Sequence, residues 1–363
     1  MPPASQSPEH FVTGIRSALL DHFLRIEGAS VENVSITNIV RRLYSTVFFI
    51  TVELNNRTLR LVAKTTVHHS DNKAITEHEN QAVLEFNILR RLYSKYQEIG
   101  GCSVCRPVLV IPALETVVIE FVEGSLLGDE LGRARYLSSR AGFGKLKSYF
   151  SQCGNWLRHF QDLTGPRTTS PNIVGGILKR CDFRLRLIEE AHDQRCPNDL
   201  RDRVMRRLQE QRANLEGEQI LVAGRHGDFG PWNVLCGPAG ITVLDFFGYQ
   251  EEPIAVDPLQ MLMALERERQ CLAASPKRIE GLKHSFIEGY GNLVDIQPPL
   301  LYICETLHRI CTVQGCLTNR TGLLHKRIER SRCIKSNLQW LVCERPLISL
   351  WPNGKELSVA PGL

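Results

Sequence analysis

Long apolar runs are missing from this chain of 363 residues. No stretch approaches the ~18–20 consecutive apolar residues that a transmembrane helix needs, so we expect no membrane span. The first ten residues, MPPASQSPEH, also lack the basic-then-apolar pattern of a secretory signal. Both absences predict a cytoplasmic protein.

The chain also lacks a large excess of one charge and a regular cysteine pattern. The formal net charge is only +5, far from the dense basic composition of nucleic-acid-binding domains, so we expect no nucleic-acid partner. The 12 cysteines are scattered without a repeating framework, which favours reduced, buried thiols. Cys102 and Cys105 form a single C-x-x-C motif. A zinc or redox role there is the less favoured alternative, because a second pair or suitably spaced histidines do not follow.

The most informative stretch runs from Arg225 to Gly248 and reads RHGDFGPWNVLCGPAGITVLDFFG. Two short hydrophobic segments around its Gly-Pro-Ala-Gly turn predict a β-hairpin. Asp228 and Asn233 precede the first strand, and Asp245 follows the second. A hairpin returns its ends to the same place, so we expect Asn233 and Asp245 side by side, as a Mg²⁺ site of oxygen ligands. An ordinary Asp- and Asn-containing turn is the alternative.

This spacing resembles the aminoglycoside phosphotransferase and choline kinase branch of the protein-kinase-like fold, whose loop reads H-G-D-x-x-x-x-N before a hydrophobic-D segment. His226, Gly227, Asp228, Asn233 and Asp245 match it. Protein kinases carry Arg in place of this Gly, and their later motif is D-F-G instead of D-F-F, so both departures favour small-molecule kinases. The resemblance implies Asp228 as the catalytic base, His226 as a loop support or second catalytic candidate, and Asn233 and Asp245 as Mg²⁺ ligands.

Lys64 lies in a strand predicted over 58–66, ahead of a helix predicted over 76–96. In the family that the chain resembles, this lysine reaches the α- and β-phosphates of the nucleotide and is oriented by a helix glutamate. We select Glu85 because it lies in the middle of the helix, where its position is best fixed. A solvated strand lysine is the alternative for Lys64. The candidate glutamates are Glu77, Glu79 and Glu85.

The loop before the lysine strand contains no glycine. It falls at 42–46, with the sequence RLYST, whereas protein kinases have a glycine-rich loop here. The Ser45 hydroxyl could contact a phosphate, but the backbone approaches less closely without glycine. This departure supports the alternative of a catalytically weak or inactive nucleotide-binding or scaffold protein with the same fold.

The resemblance implies an α+β, bilobal fold. The N-lobe, 1–123, would hold a small antiparallel sheet and one main helix, and the C-lobe, 124–363, would be larger and mostly helical. The segment from Val117 to Gly124 resembles the inter-lobe connector, where Glu120 and Val122 would present backbone groups to the nucleotide base. Asp257 is expected to N-cap a helix and to support the catalytic loop.

The implied reaction transfers the γ-phosphoryl group of ATP or GTP, with Mg²⁺, to a hydroxyl of a small molecule. The mild basic balance favours a sugar or glycan acceptor over a cationic one. A helix predicted over 321–341 carries six basic residues and is interpreted as a solvated face; contact with an anionic acceptor or a membrane surface is the alternative. Gly227 and the missing A-P-E segment disfavour a protein kinase. The basic residues are His325, Lys326, Arg327, Arg330, Arg332 and Lys335.

Overall fold

The computed structural model describes residues 8–25, 28–42, 45–55, 57–66, 80–99, 102–137, 139–291, 296–318 and 322–343. The helices within these ranges are α1 (Pro8–Arg25), α2 (Gln81–Ile99), α3 (Leu127–Leu137), α4 (Arg140–Leu163), α5 (Val174–Glu190), α6 (Leu200–Ala213), α7 (Val256–Arg269), α8 (Pro276–Tyr290), α9 (Pro298–Thr318) and α10 (Leu324–Val342). The strands are β1 (Val31–Arg41), β2 (Ser45–Leu54), β3 (Arg57–Thr66), β4 (Cys102–Val104), β5 (Pro107–Ile111), β6 (Thr116–Glu120), β7 (Ser125–Leu126), β8 (Arg167–Thr169), β9 (Ile220–Arg225), β10 (Val234–Gly237), β11 (Gly240–Val243) and β12 (Gln250–Pro253). None of these helices combines the length and apolar character needed to cross a membrane.

The chain divides into two compact units. One contains Met1–Ser125 and Leu235–Tyr249, and the other contains Leu126–Val234 and Gln250–Leu363. The chain first passes from one unit to the other between Ser125 and Leu126, close to the boundary predicted between 123 and 124. The hairpin segment after Val234, which the sequence division assigned to the C-lobe, belongs with the first unit.

The first unit is built on a five-stranded sheet with the order β1-β2-β3-β6-β5. All four pairings are antiparallel. β2 reads STVFFITVEL and is rich in the β-branched and aromatic residues that pack well on a pleated sheet. Its buried Phe48 shares a core with Ile15, Leu19 and Phe23 of α1. These three helix residues are spaced four apart, so they form one apolar stripe that faces the sheet.

The segment over 102–112 contributes strands to two different sheets of the first unit. β4 pairs in parallel with β11, and β5 pairs with β6. Pro107 opens β5, and a proline at this point cannot donate a ladder hydrogen bond. The sheet order is β4-β11-β10-β7, so β10 and β11 are neighbours and the predicted hairpin is confirmed.

The second unit packs long helices closely. The backbones of α4 and α8 approach so tightly that a Cβ on Gly154 would lie 2.0 Å from the carbonyl oxygen of Phe286. A Cβ on Gly289 would lie 1.9 Å from the carbonyl oxygen of Ser151. Glycine is therefore required on both helices at this crossing. Trp156 and Phe160 of α4 are fully buried.

A small antiparallel sheet, β12-β9-β8, lies in the second unit and was not predicted from the sequence. β9 ends at Arg225, directly before the H-G-D motif. The loop that carries this motif therefore leaves the end of a strand that is paired on both sides.

Candidate active site

In the first unit, three residues selected from the sequence meet. The Lys64 ammonium lies 3.0 Å from Glu85 Oε2 and 2.5 Å from Asp245 Oδ1. Glu85, on α2, also accepts a hydrogen bond from the backbone N–H of Phe246, at 3.1 Å. The glutamate therefore orients the lysine and also anchors the chain directly after Asp245.

This cluster is strongly charged although it is largely buried. Burial alone would lower the pKa of Lys64, but the carboxylates of Asp245 and Glu85 raise it above its ordinary value, so the lysine stays a cation. Burial raises the pKa of Glu85, and the Lys64 charge opposes that shift. Asp245 has a φ of +68°, in the left-handed region that Asp tolerates better than most residues. The geometry favours the functional interpretation of Lys64 over the solvated strand lysine.

In the second unit, Asp257 holds the backbone of the H-G-D loop. Its Oδ2 accepts from the N–H of His226 at 2.6 Å, and its Oδ1 accepts from the N–H of Gly227 at 3.2 Å. Burial raises the pKa of Asp257 to about 6, against the effect of Arg225 and of the two amides. The predicted supporting role is confirmed. The N-cap assignment is wrong, because Ala255 occupies that position and Asp257 lies in the first turn.

The loop backbone needs glycine and a packed imidazole. Gly227 has a φ of +94°, which an arginine at this point would adopt only with strain. The His226 side chain is fully buried against the rings of Trp156 and Phe229. Its Nδ1 accepts from the N–H of Asp228, at 3.3 Å. This placement favours the loop-supporting role of His226 over direct chemistry.

Arg225 ties the same loop to the small sheet. Its Nη2 donates to the Gly227 carbonyl oxygen at 3.1 Å, while its Nη1 lies 3.1 Å from Glu252 of β12. Arg180 of α5 pairs with the same glutamate at 2.5 Å. Burial alone would raise the pKa of Glu252, but Arg225 and Arg180 hold it below its ordinary value. This network was not predicted from the sequence.

Asp228 presents an exposed carboxylate that is nevertheless fixed in direction. Its Oδ1 accepts from Gln260 Nε2 at 3.0 Å, and its Oδ2 accepts from Trp232 Nε1 at 2.9 Å. Asn233 Nδ2 donates to the same Oδ2 and to the Asp228 carbonyl oxygen, both at 2.9 Å. The carboxylate is accessible and oriented, as a proton acceptor should be. Trp232 and Gln260 were not identified from the sequence.

Asn233 is buried and ends a short 3₁₀ turn, Pro231–Asn233, that leads into β10. Because its amide nitrogen is engaged by Asp228, its carbonyl oxygen is the atom suited to a cation. Amide and carboxylate oxygens are both ligand types that Mg²⁺ accepts, and in the first unit Asp245 carries a carboxylate.

The predicted nucleotide contacts away from this cluster are less distinctive. Ser45 opens β2, and its carbonyl oxygen accepts from Arg42 N–H at 2.8 Å; positions 43–44 of the glycine-free loop lie outside the described residues. Glu120 ends β6, and its N–H already donates to the carbonyl oxygen of Arg106, at 2.9 Å. Its carboxylate forms an ion pair with the same arginine. Val122 is half-buried and lines a cavity of about 280 Å³.

Cys102 and Cys105 are both buried, and neither forms a disulfide. Burial raises their pKa values to about 11 and about 12 respectively, so neither is a thiolate near neutral pH. Across the described part of the chain, no group of three or more His, Cys, Asp or Glu side chains is arranged to hold a metal ion. The reading of these cysteines as small buried hydrophobes fits this environment better than the zinc or redox alternative.

The chain matches no protein-family model and no curated protein in sequence. Solved structures do resemble it. An amicoumacin kinase, in complex with AMP-PNP, Ca²⁺ and Ami, aligns over 92% of this chain and 96% of its own, with 14% identity and a TM-score of 0.53. A glucosamine kinase aligns over 88% and 96%, with 13% identity and a TM-score of 0.51.

A choline/ethanolamine kinase family protein from Mesorhizobium loti also aligns, over 93% of this chain and 97% of its own, with 13% identity and a TM-score of 0.51. The chain has the fold of the aminoglycoside phosphotransferase and choline kinase-like proteins. The predicted α+β kinase-like fold, an antiparallel-sheet N-terminal region followed by a mostly helical C-terminal region, is confirmed. At these identities the likeness establishes the fold, and the chemistry has to be argued from the residues.

Proposed function

We propose that this chain is a small-molecule kinase that transfers the γ-phosphoryl group of ATP or GTP to an acceptor hydroxyl. The proposal depends mainly on the exposure and hydrogen bonding of the Asp228 carboxylate. Its carboxylate is exposed to an incoming substrate, yet three side chains of its own unit, Trp232, Asn233 and Gln260, fix its direction. An aspartate in an ordinary solvated turn does not require three side-chain hydrogen bonds to fix its direction.

Each residue of the candidate site has a role in the proposed reaction. Lys64, oriented by Glu85, would bind the α- and β-phosphates, since it stays a cation in a largely buried setting. Asn233 and Asp245 would each contribute an oxygen to Mg²⁺, which when bound supplies positive charge to the phosphates. The AMP-PNP and Ca²⁺ in the amicoumacin kinase structure support the use of a nucleotide and a divalent cation.

Asp228 would orient the acceptor hydroxyl and take its proton. In phosphoryl transfer the negative charge spreads over the phosphoryl oxygens, so positioning and electrostatics supply most of the rate enhancement. The bonds from Trp232 and Gln260 hold the carboxylate in one direction, which lowers the cost of ordering it during the reaction. Asp257, Arg225 and His226 act as positioning residues through the loop backbone.

The alternative, an inactive protein of the same fold, is favoured by the glycine-free loop at 42–46. Against it, Lys64, Glu85, Asp228, Asn233 and Asp245 are all present, and each makes the contacts described above. The neighbours named for glucosamine, choline and amicoumacin differ in acceptor, so the fold does not identify the acceptor here. A nucleoside triphosphate as donor agrees with the cytoplasmic location expected from the sequence.

The test compares wild-type protein with Asp228→Asn. We expect the wild type to bind Mg-ATP or Mg-GTP and to release the nucleoside diphosphate when an acceptor is added. In the variant, turnover should fall by about 10²–10⁴-fold, with the nucleotide Kd nearly unchanged. Nucleotide binding without turnover over a broad acceptor screen would favour the scaffold alternative, and full activity of a folded Asp228→Asn protein would contradict the assignment.

A further inference from the structure

A cavity of about 470 Å³ lies in the second unit beside the candidate base. Pro231 and Trp232, from the turn that follows Asp228, form part of its wall. Trp232 also donates to the Asp228 carboxylate, so one side chain contacts both the cavity and the base. The volume falls within the ~300–1,000 Å³ that is usual for small-molecule sites.

The charges that line this cavity are mainly positive. Four basic side chains are balanced by only two acidic ones, Glu268 and Glu329. Glu268 pairs with Arg135, and Glu329 pairs with Lys326 at 3.1 Å. By formal charge, the residues that line the cavity carry two more positive than negative charges. The four bases are Arg135, Arg267, Lys326 and Arg330.

Cys316 also lies in this wall. Its pKa is lowered to about 7 mainly by a hydrogen bond with Cys333; burial opposes this shift, and the charges of Arg267 and Arg330 add to it. The exposed guanidinium of Arg267 also lies 5.9 Å from the centre of the Trp232 ring, which brings positive charge towards the Asp228 side of the cavity.

The basic helix found in the sequence is the source of two of these charges. Lys326 and Arg330 are one turn apart on α10, and both line the cavity. Arg327 and Arg332 of the same helix are exposed and are not part of the wall. The basic residues of α10 therefore divide between the cavity and a solvated face.

We propose that this cavity takes an acceptor that carries a phosphate or carboxylate group in addition to its reactive hydroxyl, bound by Arg267, Lys326 and Arg330. The inference deepens the proposed function and depends on it for the identity of the reaction. A cationic acceptor would be repelled by the excess positive charge, whereas an anion would gain charge-assisted hydrogen bonds. Guanidinium groups also match phosphate and carboxylate in geometry.

The first experiment measures anion binding directly, with inorganic phosphate as the probe. The full chain is saturated with Mg²⁺ and AMP-PNP, so that phosphate does not compete for the nucleotide site, and phosphate is titrated by calorimetry. We expect the Lys326→Gln/Arg330→Gln variant to bind phosphate at least about tenfold more weakly than wild type. Arg327→Gln/Arg332→Gln removes the same charge from the same helix and should bind as wild type does. Arg267→Gln gives a second, independent variant if the double change disturbs folding, which circular dichroism and Tm would reveal.

The second experiment identifies the anionic group. Glucose, glucose 6-phosphate, glucuronate and glucosamine are compared as acceptors or as competitors of phosphate, because they share one ring and differ in charge. We expect the phosphorylated or carboxylated sugar to bind most tightly and glucosamine most weakly. Phosphate binding that is undetectable, unchanged in Lys326→Gln/Arg330→Gln, or equally lost in the control would overturn the proposal, as would preferred turnover of glucosamine. A failure of the proposed function would instead appear as absent nucleotide binding. The phosphate titration is therefore repeated without nucleotide, so that the two results are measured separately.

Discussion

Trp232 Nε1 donates a hydrogen bond to Asp228 Oδ2 at 2.9 Å. The indole has its own support, because Gly230 leaves room for it: a Cβ there would lie 2.4 Å from a ring atom. The turn that follows Asp228 therefore folds back and fixes the direction of its carboxylate. The same ring lines the cavity proposed for the acceptor, so it contacts both that cavity and the proposed base.

Trp232→Phe keeps an aromatic ring in the cavity wall but removes the donor to Asp228. We expect kcat to fall by roughly tenfold with little change in nucleotide Kd, because a hydrogen bond to a charged group contributes about 1.5–3 kcal/mol. Steady-state kinetics and a nucleotide titration measure the two quantities. Trp340→Phe, an equal substitution in α10, serves as the control, and an unchanged kcat in Trp232→Phe would show that the bond has no part in turnover.

Lys64→Met is expected to weaken Mg-ATP binding by roughly tenfold or more, because the cation proposed to meet the phosphates is lost. It should also lower the free energy of unfolding by about 3 kcal/mol, since the buried Glu85 loses its counter-charge. Isothermal titration and chemical denaturation follow the two effects.

A second substitution separates the structural effect of Lys64 from its functional effect. Adding Glu85→Gln to Lys64→Met removes the uncompensated carboxylate, so stability should recover while nucleotide affinity stays low. Recovery of both would mean that Lys64 acts only through the stability of the first unit.

The sequence predicted those residues whose chemistry is tied to a local pattern. Lys64 lies in a strand of alternating burial, Glu85 lies on the buried face of a helix, and Asp245 directly follows a hydrophobic segment. Each pattern is visible within a short window of sequence, and the spacing to Asp228 and Asn233 supplied the rest. The fold was implied by the family resemblance that this spacing carries.

Trp232 and Gln260 could not be found in this way, because their roles depend on side-chain direction and on the packing of α7 against the loop. The small sheet was missed for a related reason. β12 reads QEEP and β8 reads RTT, and neither shows hydrophobic alternation. Both are strands because they pair with β9, which is distant in sequence, and such non-local pairing leaves little trace in a single chain.

His308 predicts a loss of stability in acid. Its imidazole is buried in α9, with Nε2 2.8 Å from the Val256 carbonyl oxygen. Burial lowers its pKa to about 4. Because the folded pKa lies below the unfolded one, the unfolded chain binds more protons between pH 6.5 and 4. The stability linked to this group is complete above pH 6.5 and is lost as pH falls through that window, by about 3 kcal/mol in total.

His308→Gln should therefore flatten the pH dependence between pH 6.5 and 4 relative to wild type. Denaturant unfolding at several pH values measures this difference. The comparison between proteins is essential, because the raised pKa of Asp257, about 6, favours the folded state in acid and acts in the opposite direction. The same substitution at the exposed His284 is the control. Parallel curves for wild type and His308→Gln would show that the imidazole does not supply the acid sensitivity.

The crossing of α4 and α8 predicts that one substitution has opposite effects at two positions of one helix. Gly154→Ala would place a methyl group 2.0 Å from the Phe286 carbonyl oxygen, so the helices must separate, and we expect a loss of about 3 kcal/mol or more. Gly144→Ala, on an exposed part of α4 with no atom within 4 Å of the new methyl, should gain about 0.5–1 kcal/mol from helix propensity.

α4 also carries Trp156, which packs on His226. A displaced α4 should therefore lower kcat in Gly154→Ala while Gly144→Ala keeps wild-type turnover. Equal stabilities of the two variants would show that the helices do not meet at this glycine, and the packing that supports the catalytic loop would need a different origin.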